Sequence, residues 1–340
     1  MPASFDAHRR NYLACFTPHS EDCSPTLPFI AEAPPPPKLL FGRDPYLLSG
    51  LLSSIGSEAI NRRLTVHALY DPYLPHRLTA LWVEGVGSFT LSPQRLTVEG
   101  GLVDCNFPLP DIGEGNIREI QQLAKARCAL AKEITAIGRL ISDAKTILAT
   151  QGARLADRTA LREKAERIAK KFPHGESSAI KLSIQSYDAK GAITRLPFGS
   201  EIRILGLPSQ YSLASLFLTE LSEALSSRRC RNVLLTAAFT GELLGILLPE
   251  MGICYLSDAP EEMREKEVTL SRFLHPFTAE ERRRYRRLSE AADALQEHLC
   301  RRLGEYCTLA DREQELLASL HSESRLQNVR KRLLIDLFCP

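Results

Sequence analysis

EGNIREIQQLAKARCALAKEITAIGRL at residues 114–140 and EERRRYRRLSEAADALQEHLCRRLGEY at residues 280–306 are two versions of one pattern, 166 positions apart. The same offset, without a gap, carries on to REKAERIAKKF, which ends at Phe172, and NVRKRLLIDLF, which ends at Phe338. Arg118 falls on Arg284, Ala126 on Ala292, Ile137 on Leu303 and Gly138 on Gly304. Identity is otherwise low: Glu119 meets Tyr285 and Leu123 meets Ser289. What repeats is the placing of apolar residues three and four apart, the mark of a half-buried helix. Two unrelated α/β domains would have to match by chance over this whole ungapped stretch.

Upstream, the offset continues to hold. LTALWVEGVGSFTLS at 78–92 meets LGILLPEMGICYLSD at 244–258, with Glu84 on Glu250 and Phe89 on Tyr255. LLFG at 39–42 meets RILG at 203–206 after a shift of two, which a loop absorbs. Each copy therefore reads as a short apolar strand ending in glycine, a loop and an amphipathic helix. A second strand follows (LTVHALY, NVLLTAA), then a short amphipathic stretch and a third strand (GVGSFTL, GICYLS). Alternation of strand and helix predicts an α/β fold with a parallel sheet in each copy. Each copy closes with a long antiparallel helical pair, about 114–172 and about 280–338. In the first pair Ile120, Ala124, Ile134, Ile137, Ile141, Ala144 and Leu148 form an apolar stripe, broken at Gln151 and Gly152. In the second, Leu288, Ala292, Leu295, Leu299 and Leu303 do so, and a further helix is expected from about Asp311. Each stripe needs burial, so the pairs are expected to pack together or on the sister domain. The domains are expected at 1–173 and 174–340, with the boundary at Pro173-His174-Gly175. The run Pro34 to Pro37 reads as a stiff lead-in to the first strand.

At 340 residues, with 44% hydrophobic and 25% charged residues, the chain can bury two real cores. A net charge of +2 lacks the basic footprint of a dedicated nucleic-acid binder, so nucleic acid is not an expected partner. The nine cysteines are odd in number and form no C-x-x-C, unlike a secreted disulfide framework or a zinc knuckle. Cys128 and Cys254 sit in apolar surroundings and read as small reduced hydrophobes. The first residues, MPASFDAHRRNYLACF, lack the apolar core of a signal peptide, and no run is long enough to span a membrane. A cytoplasmic location with no membrane partner is expected.

A glycine-ended strand, a loop and a helix make the setting of a P-loop, G-x-x-x-x-G-K-S/T. There, backbone amides and the helix start cradle phosphates, the lysine neutralises them and the hydroxyl holds magnesium. Copy one has GRDPYLLS from Gly42 to Ser49, and copy two has GLPSQYSL from Gly206 to Leu213. With HALYDPYLPHRL in copy one and LLPEMGICYLSDAP in copy two, this order resembles an uncharacterised bacterial family of ATPase-like proteins with two P-loop domains in tandem. His67, Asp71, Pro72, Leu74 and Pro93 fit its first domain, and Pro249, Glu250, Ala259 and Pro260 its second. The likeness covers about 12–172 and 177–338. It implies two P-loop NTPase-like domains that bind ATP and magnesium.

The departures weigh more than the matches. Copy one keeps Gly42 and Ser49 but has Leu47 for the second glycine and Leu48 for the lysine. Copy two keeps Gly206 but has Tyr211, Ser212 and Leu213 for glycine, lysine and hydroxyl. The strand-end acid that holds magnesium is replaced by Phe89 and Thr90 in copy one and comes late, as Asp258, in copy two. Each lost preorganised charge costs on the order of a thousandfold in rate. The expectation is a non-hydrolysing pseudoenzyme that serves as a binding or regulatory module. Its residual phosphate contacts would be Gly42, Arg43, Ser49 and Gly206, and it would meet a protein partner through the helical pairs. The alternative is an ATPase or nucleotide kinase with an atypical loop, using ATP and magnesium with Arg43 in the lysine's place.

Other constellations have plainer readings. Arg43-Asp44 is also a polar turn of the kind Asp-Pro favours. His67 and Asp71 could form an acid–base pair, against a structural histidine at a strand end. His174 reads as part of a hinge, and Trp82 as a core residue. The run RRRYRR at 282–287 opposes the helix dipole, or is a solvated face offset by Glu280, Glu281 and Glu290.

Overall fold

The computed structural model describes residues 9–13, 38–42, 44–92, 102–105, 114–172, 179–198, 201–318 and 323–338. Arg43, Pro34 to Pro37, Pro93, the boundary at 173–176 with His174, and Cys15, Cys23 and Cys339 lie outside the described residues.

The repeat can be followed strand by strand. Copy one runs β1 (Arg9–Leu13), β2 (Lys38–Phe41), α1 (Pro45–Asn61), β3 (Val66–Tyr70), β4 (Leu78–Val83), β5 (Gly87–Ser92), β6 (Leu102–Asp104), α2 (Glu114–Leu155) and α3 (Arg158–Ala169). Copy two runs β7 (Ile180–Asp188), β8 (Gly191–Thr194), β9 (Arg203–Leu207), α4 (Leu213–Ser227), β10 (Val233–Ala237), β11 (Leu243–Leu248), β12 (Ile253–Ser257), β13 (Lys266–Glu267), α5 (Ala279–Ala318) and α6 (Glu323–Phe338). Neighbouring strands follow the order β1-β3-β4-β5-β2-β6 in copy one and β7-β10-β11-β12-β9-β13 in copy two. The two orders are the same, and β8 is an extra strand on β7.

The α/β class holds, but the sheets are mixed rather than parallel. The stretch read as amphipathic is itself a strand in each copy. β3 pairs β4 and β4 pairs β5 antiparallel, as β10 pairs β11 and β11 pairs β12. The connections explain this. β4 and β5 are joined across Glu84 to Val86, with Gly85 at φ 79°, and β11 and β12 by a 3₁₀ turn at Pro249–Met251 that ends on Gly252 at φ 59°. Links that short can close only a hairpin; a parallel partner needs a crossover of a dozen residues or more. Parallel pairing survives in β1·β3, β5·β2 and β2·β6, and in β7·β10, β12·β9 and β9·β13.

Contacts divide the chain into two units: residues 1–134, 186–199 and 300–340, and residues 135–185 and 200–299. In the first unit, α1 turns Leu48, Leu51, Leu52, Ile55 and Ala59 into a core with Leu40, Val66, Ala68, Leu81 and Phe89. Leu333 of α6, from the other copy, is buried in that core, with Leu334, Leu337 and Phe338 against it. In the second unit, α4 buries Leu213, Phe217, Leu218, Leu221 and Leu225 with Ile246, Leu248 and Tyr255. Leu161, Ala165, Ala169 and Phe172, from the α3 end of copy one, complete it. Each copy thus lends its last helix to the core built on the other copy's sheet. Burial of a leucine or phenylalanine contributes about 1.5–3 kcal/mol, so neither loan is decorative.

The long helices also differ from expectation. α2 does not break at Gln151-Gly152; it runs on to Leu155, and α5 runs to Ala318. Gly152 is needed for approach instead: a Cβ there would stand 2.2 Å from the carbonyl oxygen of Tyr211. The α2–α3 corner is made by Asp157, whose carboxylate accepts from the Ala160 amide at 3.0 Å. In the first unit the antiparallel neighbour of α2 is α5: Glu133 pairs with Arg302, Arg127 lies 5.7 Å over the Tyr306 ring, and Glu119 meets Arg312 at 3.1 Å. Cys128 is exposed on this helix rather than packed, whereas Cys254 is buried in β12. Among the described residues no helix is long and apolar enough to cross a membrane.

Candidate functional site

The two positions that the sequence reading marks as phosphate loops lie at or before the starts of α1 and α4. In copy one only residues 42–44 separate β2 from α1. Gly42 follows the strand directly, and a Cβ on it would stand 3.2 Å from both the Cys105 carbonyl oxygen and Leu48 Cδ2. Asp44 caps the helix: its Oδ1 accepts from the amides of Tyr46 at 2.9 Å and Leu47 at 3.1 Å. Pro45 takes the first helical position and has no N–H to offer. The donors that would grip an anion are therefore held by the chain's own carboxylate. Leu48, aligned in the sequence reading with the lysine of a P-loop, is 1% exposed and belongs to the core. Ser49 lies in the second turn, where its hydroxyl oxygen accepts from the Leu78 amide at 3.0 Å.

In copy two the strand does not end at Gly206. β9 continues to Leu207, and Gly206 pairs with Leu256 inside the sheet, at the place where Leu39 pairs with Thr90 in copy one. Its missing Cβ makes room for Arg264, whose Cδ would be only 2.3 Å away from one. The helix start comes later, through a 3₁₀ turn at Gln210–Ser212 in which Tyr211 has φ 55° and Ser212 φ 59°. Two successive left-handed residues that are not glycine are costly, on the order of 1–3 kcal/mol each, unless their surroundings hold them. Here they are held. The Tyr211 ring packs 4.6 Å from Phe277 and 5.1 Å from Tyr285, and the Ser212 hydroxyl bonds the Tyr285 phenol at 2.8 Å. Gly152 of α2 presses on the Tyr211 carbonyl. Gly42 and Ser49 are thus near one helix start, while Gly206 lies within a strand of the other copy.

Around Tyr46 the first unit holds a knot of polar side chains that sequence reading did not find. The Tyr46 phenol donates to Glu313 at 3.2 Å, and Arg127 pairs with the same carboxylate at 2.5 Å. Arg77 lies 5.6 Å over the Tyr46 ring and pairs with Asp71, whose other oxygen accepts from the Tyr73 amide at 2.9 Å. Tyr73 and Tyr306 rings stand 5.2 Å apart, and the Cys307 thiol points at the Tyr73 carbonyl at 3.7 Å. Burial dominates the titrations here. It raises Tyr46 well above the usual phenol value, pushes Tyr306 up to about 12 with Asp71 adding, and pushes Cys307 up to about 11 with Asp311 adding. Phenols and thiol thus stay protonated at neutral pH, and neither arginine lacks a carboxylate.

His67 and Asp71 are not brought together as an acid–base pair. His67 is buried on β3, stacked 4.3 Å from Trp82, with Nε2 2.9 Å from Glu84. Burial lowers its pKa, against the pull of Glu84. Asp71 faces Arg77. Phe89 is fully buried and Asp258 is an exposed turn residue at φ 48°. The arginine run at 282–287 starts a helix whose first turn is fixed by a capping box: the Thr278 amide donates to Glu281 at 2.8 Å and the Glu281 amide to the Thr278 hydroxyl at 3.2 Å. The signal for Asp44 was present in the sequence, since aspartate followed by proline is a helix-start pattern. The Tyr46–Glu313 contact joins residues 267 apart and has no local signal. No protein-family model, curated protein or solved structure matches the chain.

Proposed function

We propose that this chain is a non-hydrolysing relative of tandem P-loop NTPases, acting as a binding or regulatory module rather than as an enzyme. The observation that carries the reading is the start of α1, where the Asp44 carboxylate takes the Tyr46 and Leu47 amides that a phosphate would need. Leu48 supports it, being a core residue where a lysine would reach the phosphates. So does the α4 start, filled by Tyr211, Phe277 and Tyr285. Binding then falls to the helices. On α2, Leu140 and Ile147 are 54% and 49% exposed and stand seven residues apart, on one face, which suits an apolar protein partner.

The test is a thermal-shift titration with ATP, ADP, GTP and inorganic phosphate, each with and without magnesium. A ligand at a thousand times its dissociation constant stabilises by about 4 kcal/mol, which is easily read as a melting shift. The expected result is no shift with any of them. A magnesium-dependent shift with ATP would overturn the reading in favour of an ATPase or nucleotide kinase with an atypical loop.

A further inference from the structure

Arg282, Arg283, Arg284, Arg286 and Arg287, in the first two turns of α5, are all exposed. Among the described residues no carboxylate pairs with any of them, and the Glu281 carboxylate accepts instead from the Thr278 amide and hydroxyl at 2.8 and 2.9 Å. Further along the same helix the arginines do find acids: Arg302 pairs with Glu133 and Glu305, and Arg312 with Glu119 and Glu315. The run is therefore not a face balanced by its own acids. Tyr285 fixes how the helix start is turned, since its ring packs 5.1 Å from Tyr211 and its phenol bonds Ser212 at 2.8 Å. Leu288 is half-buried and Ala292 buried. At about 100° per residue these three share one side, and the five arginines cover the remaining arc of about 200°. The corner packed against this helix start carries more positive charge. Gly152 presses on the Tyr211 carbonyl and the His275 amide donates to the Leu155 carbonyl at 2.8 Å, so exposed Arg154 and Arg272 lie on the segments that meet there, again without a carboxylate partner. The net charge of +2 averages this patch away.

We propose that the start of α5 is a docking surface for double-stranded DNA, held through its phosphates without reading of sequence. Five charges in about 7.5 Å of helix axis make one per about 1.5 Å. A DNA duplex carries one negative charge per about 1.7 Å of its own axis. Guanidinium forks match phosphate oxygens two at a time. A helix with its side chains is about 10–12 Å wide, which suits the roughly 12 Å major groove. Arg282 and Arg284, at opposite edges of the arc, then serve the two phosphate walls of that groove. Other polyanions fit less well. A single strand wants an exposed aromatic platform, and Tyr285 is packed inward. A bilayer surface wants an apolar face to insert, and the exposed arc of these turns is arginine throughout. The major groove of duplex RNA is too narrow for side chains to read. The exposed acids Glu290, Asp293 and Glu297 follow the run on the same arc and repel phosphate, so the duplex crosses α5 at its start rather than lying along it. The proposal does not depend on nucleotide binding at either helix start.

The experiment measures binding of the full chain to a short labelled DNA duplex by fluorescence anisotropy, with salt varied from about 50 to 200 mM. Five phosphate contacts give a slope of about −4.5 in log affinity against log salt, so affinity should fall on the order of 500-fold over that range. A second duplex of unrelated sequence should bind within about twofold of the first. The triple variant Arg283→Ala, Arg286→Ala, Arg287→Ala changes only exposed side chains and should melt with the wild type, while its slope becomes shallower by about 3. The matching triple lysine variant keeps the charges and should keep the slope. A wild-type slope shallower than about −2, or an alanine variant with unchanged affinity and slope, overturns the proposal. So does tighter binding to single-stranded DNA, to duplex RNA or to phosphatidylserine vesicles than to the DNA duplex.

Discussion

Replacing Asp44 with alanine removes the carboxylate that holds the first turn of α1. Its Oδ1 accepts from the Tyr46 and Leu47 amides at 2.9 and 3.1 Å, and the residue is 7% exposed. Loss of an aspartate cap costs about 1 kcal/mol. A donor left without a partner out of water costs about 1–3 kcal/mol, and the two effects overlap. The expected loss is therefore about 2–3 kcal/mol, which for a unit of this size is a fall of about 4–12 °C in melting temperature. Asp44→Asn keeps an acceptor oxygen and gives up only the charge–dipole attraction, about 0.3–1 kcal/mol, so it should melt between the wild type and Asp44→Ala. The second readout is phosphate. In Asp44→Ala the carboxylate no longer fills the space before the two freed amides, so excess inorganic phosphate should restore part of the lost stability. In the wild type the carboxylate already fills that position, and phosphate should do nothing. Differential scanning fluorimetry of the three proteins, with and without phosphate, checks both. The reasoning is refuted if Asp44→Ala melts within about 1 °C of the wild type, or if phosphate stabilises the wild type as much as the variant.

Gly152→Ala places a Cβ 2.2 Å from the Tyr211 carbonyl, which cannot swing aside as a side chain can; the expected loss is 2 kcal/mol or more, read by urea unfolding, although alanine is the better helix former. Glu220 is 3% exposed; burial acts to raise its carboxyl, but hydrogen bonds from Arg158 and Arg162 override that and hold it below the usual 4.5. A lowered native value means that this stability is present above 4.5 and is lost as pH falls through the native pKa, so Glu220→Gln should cost about 2 kcal/mol at pH 7 and flatten the acid limb of stability below 4.5. Expressed alone, residues 1–173 and residues 174–340 should each show poor protection in amide exchange, because the first lacks the α6 residues of its core and the second the α3 residues; mixing the two pieces should restore protection.

The repeat, the α/β class and both helical cores were legible because each rests on local spacing. Ile134, Ile137, Ile141 and Leu148 lie on the expected stripe and are buried. A stripe tells that a face must be covered but not by what, so the exchange of α3 and α6 between copies had no local signal. The mixed sheet is not legible in LTALWV, because six residues rich in apolar side chains before a Glu-Gly turn fit an amphipathic stretch as well as a hairpin strand. Gly152 reads in the sequence as a helix break, because glycine has two uses in a helix and only the neighbour's position separates them. Gly206 misled in the same way: it opens space for Arg264 inside a strand, rather than ending the strand. Leu48 is 1% exposed and lies in the core with Leu51, Leu52 and Ile55, as its helical spacing with them requires.

The two helix starts are closed by unrelated chemistry, an aspartate and a proline in one copy, three aromatic rings and a left-handed turn in the other. A fold under pressure to hold one ligand would show the same donors twice. What the two closures share is where they lead. In the first unit the turn after the cap ties α1 to α5, through the Tyr46 phenol on Glu313 and Arg127 beside it. In the second the turn before α4 is tied to α2 through Gly152 and to α5 through Tyr285. On the proposed reading, the place that would hold a phosphate has become the place where the long helices are fastened. On the same reading, binding would fall to the helices and the loops would carry no turnover.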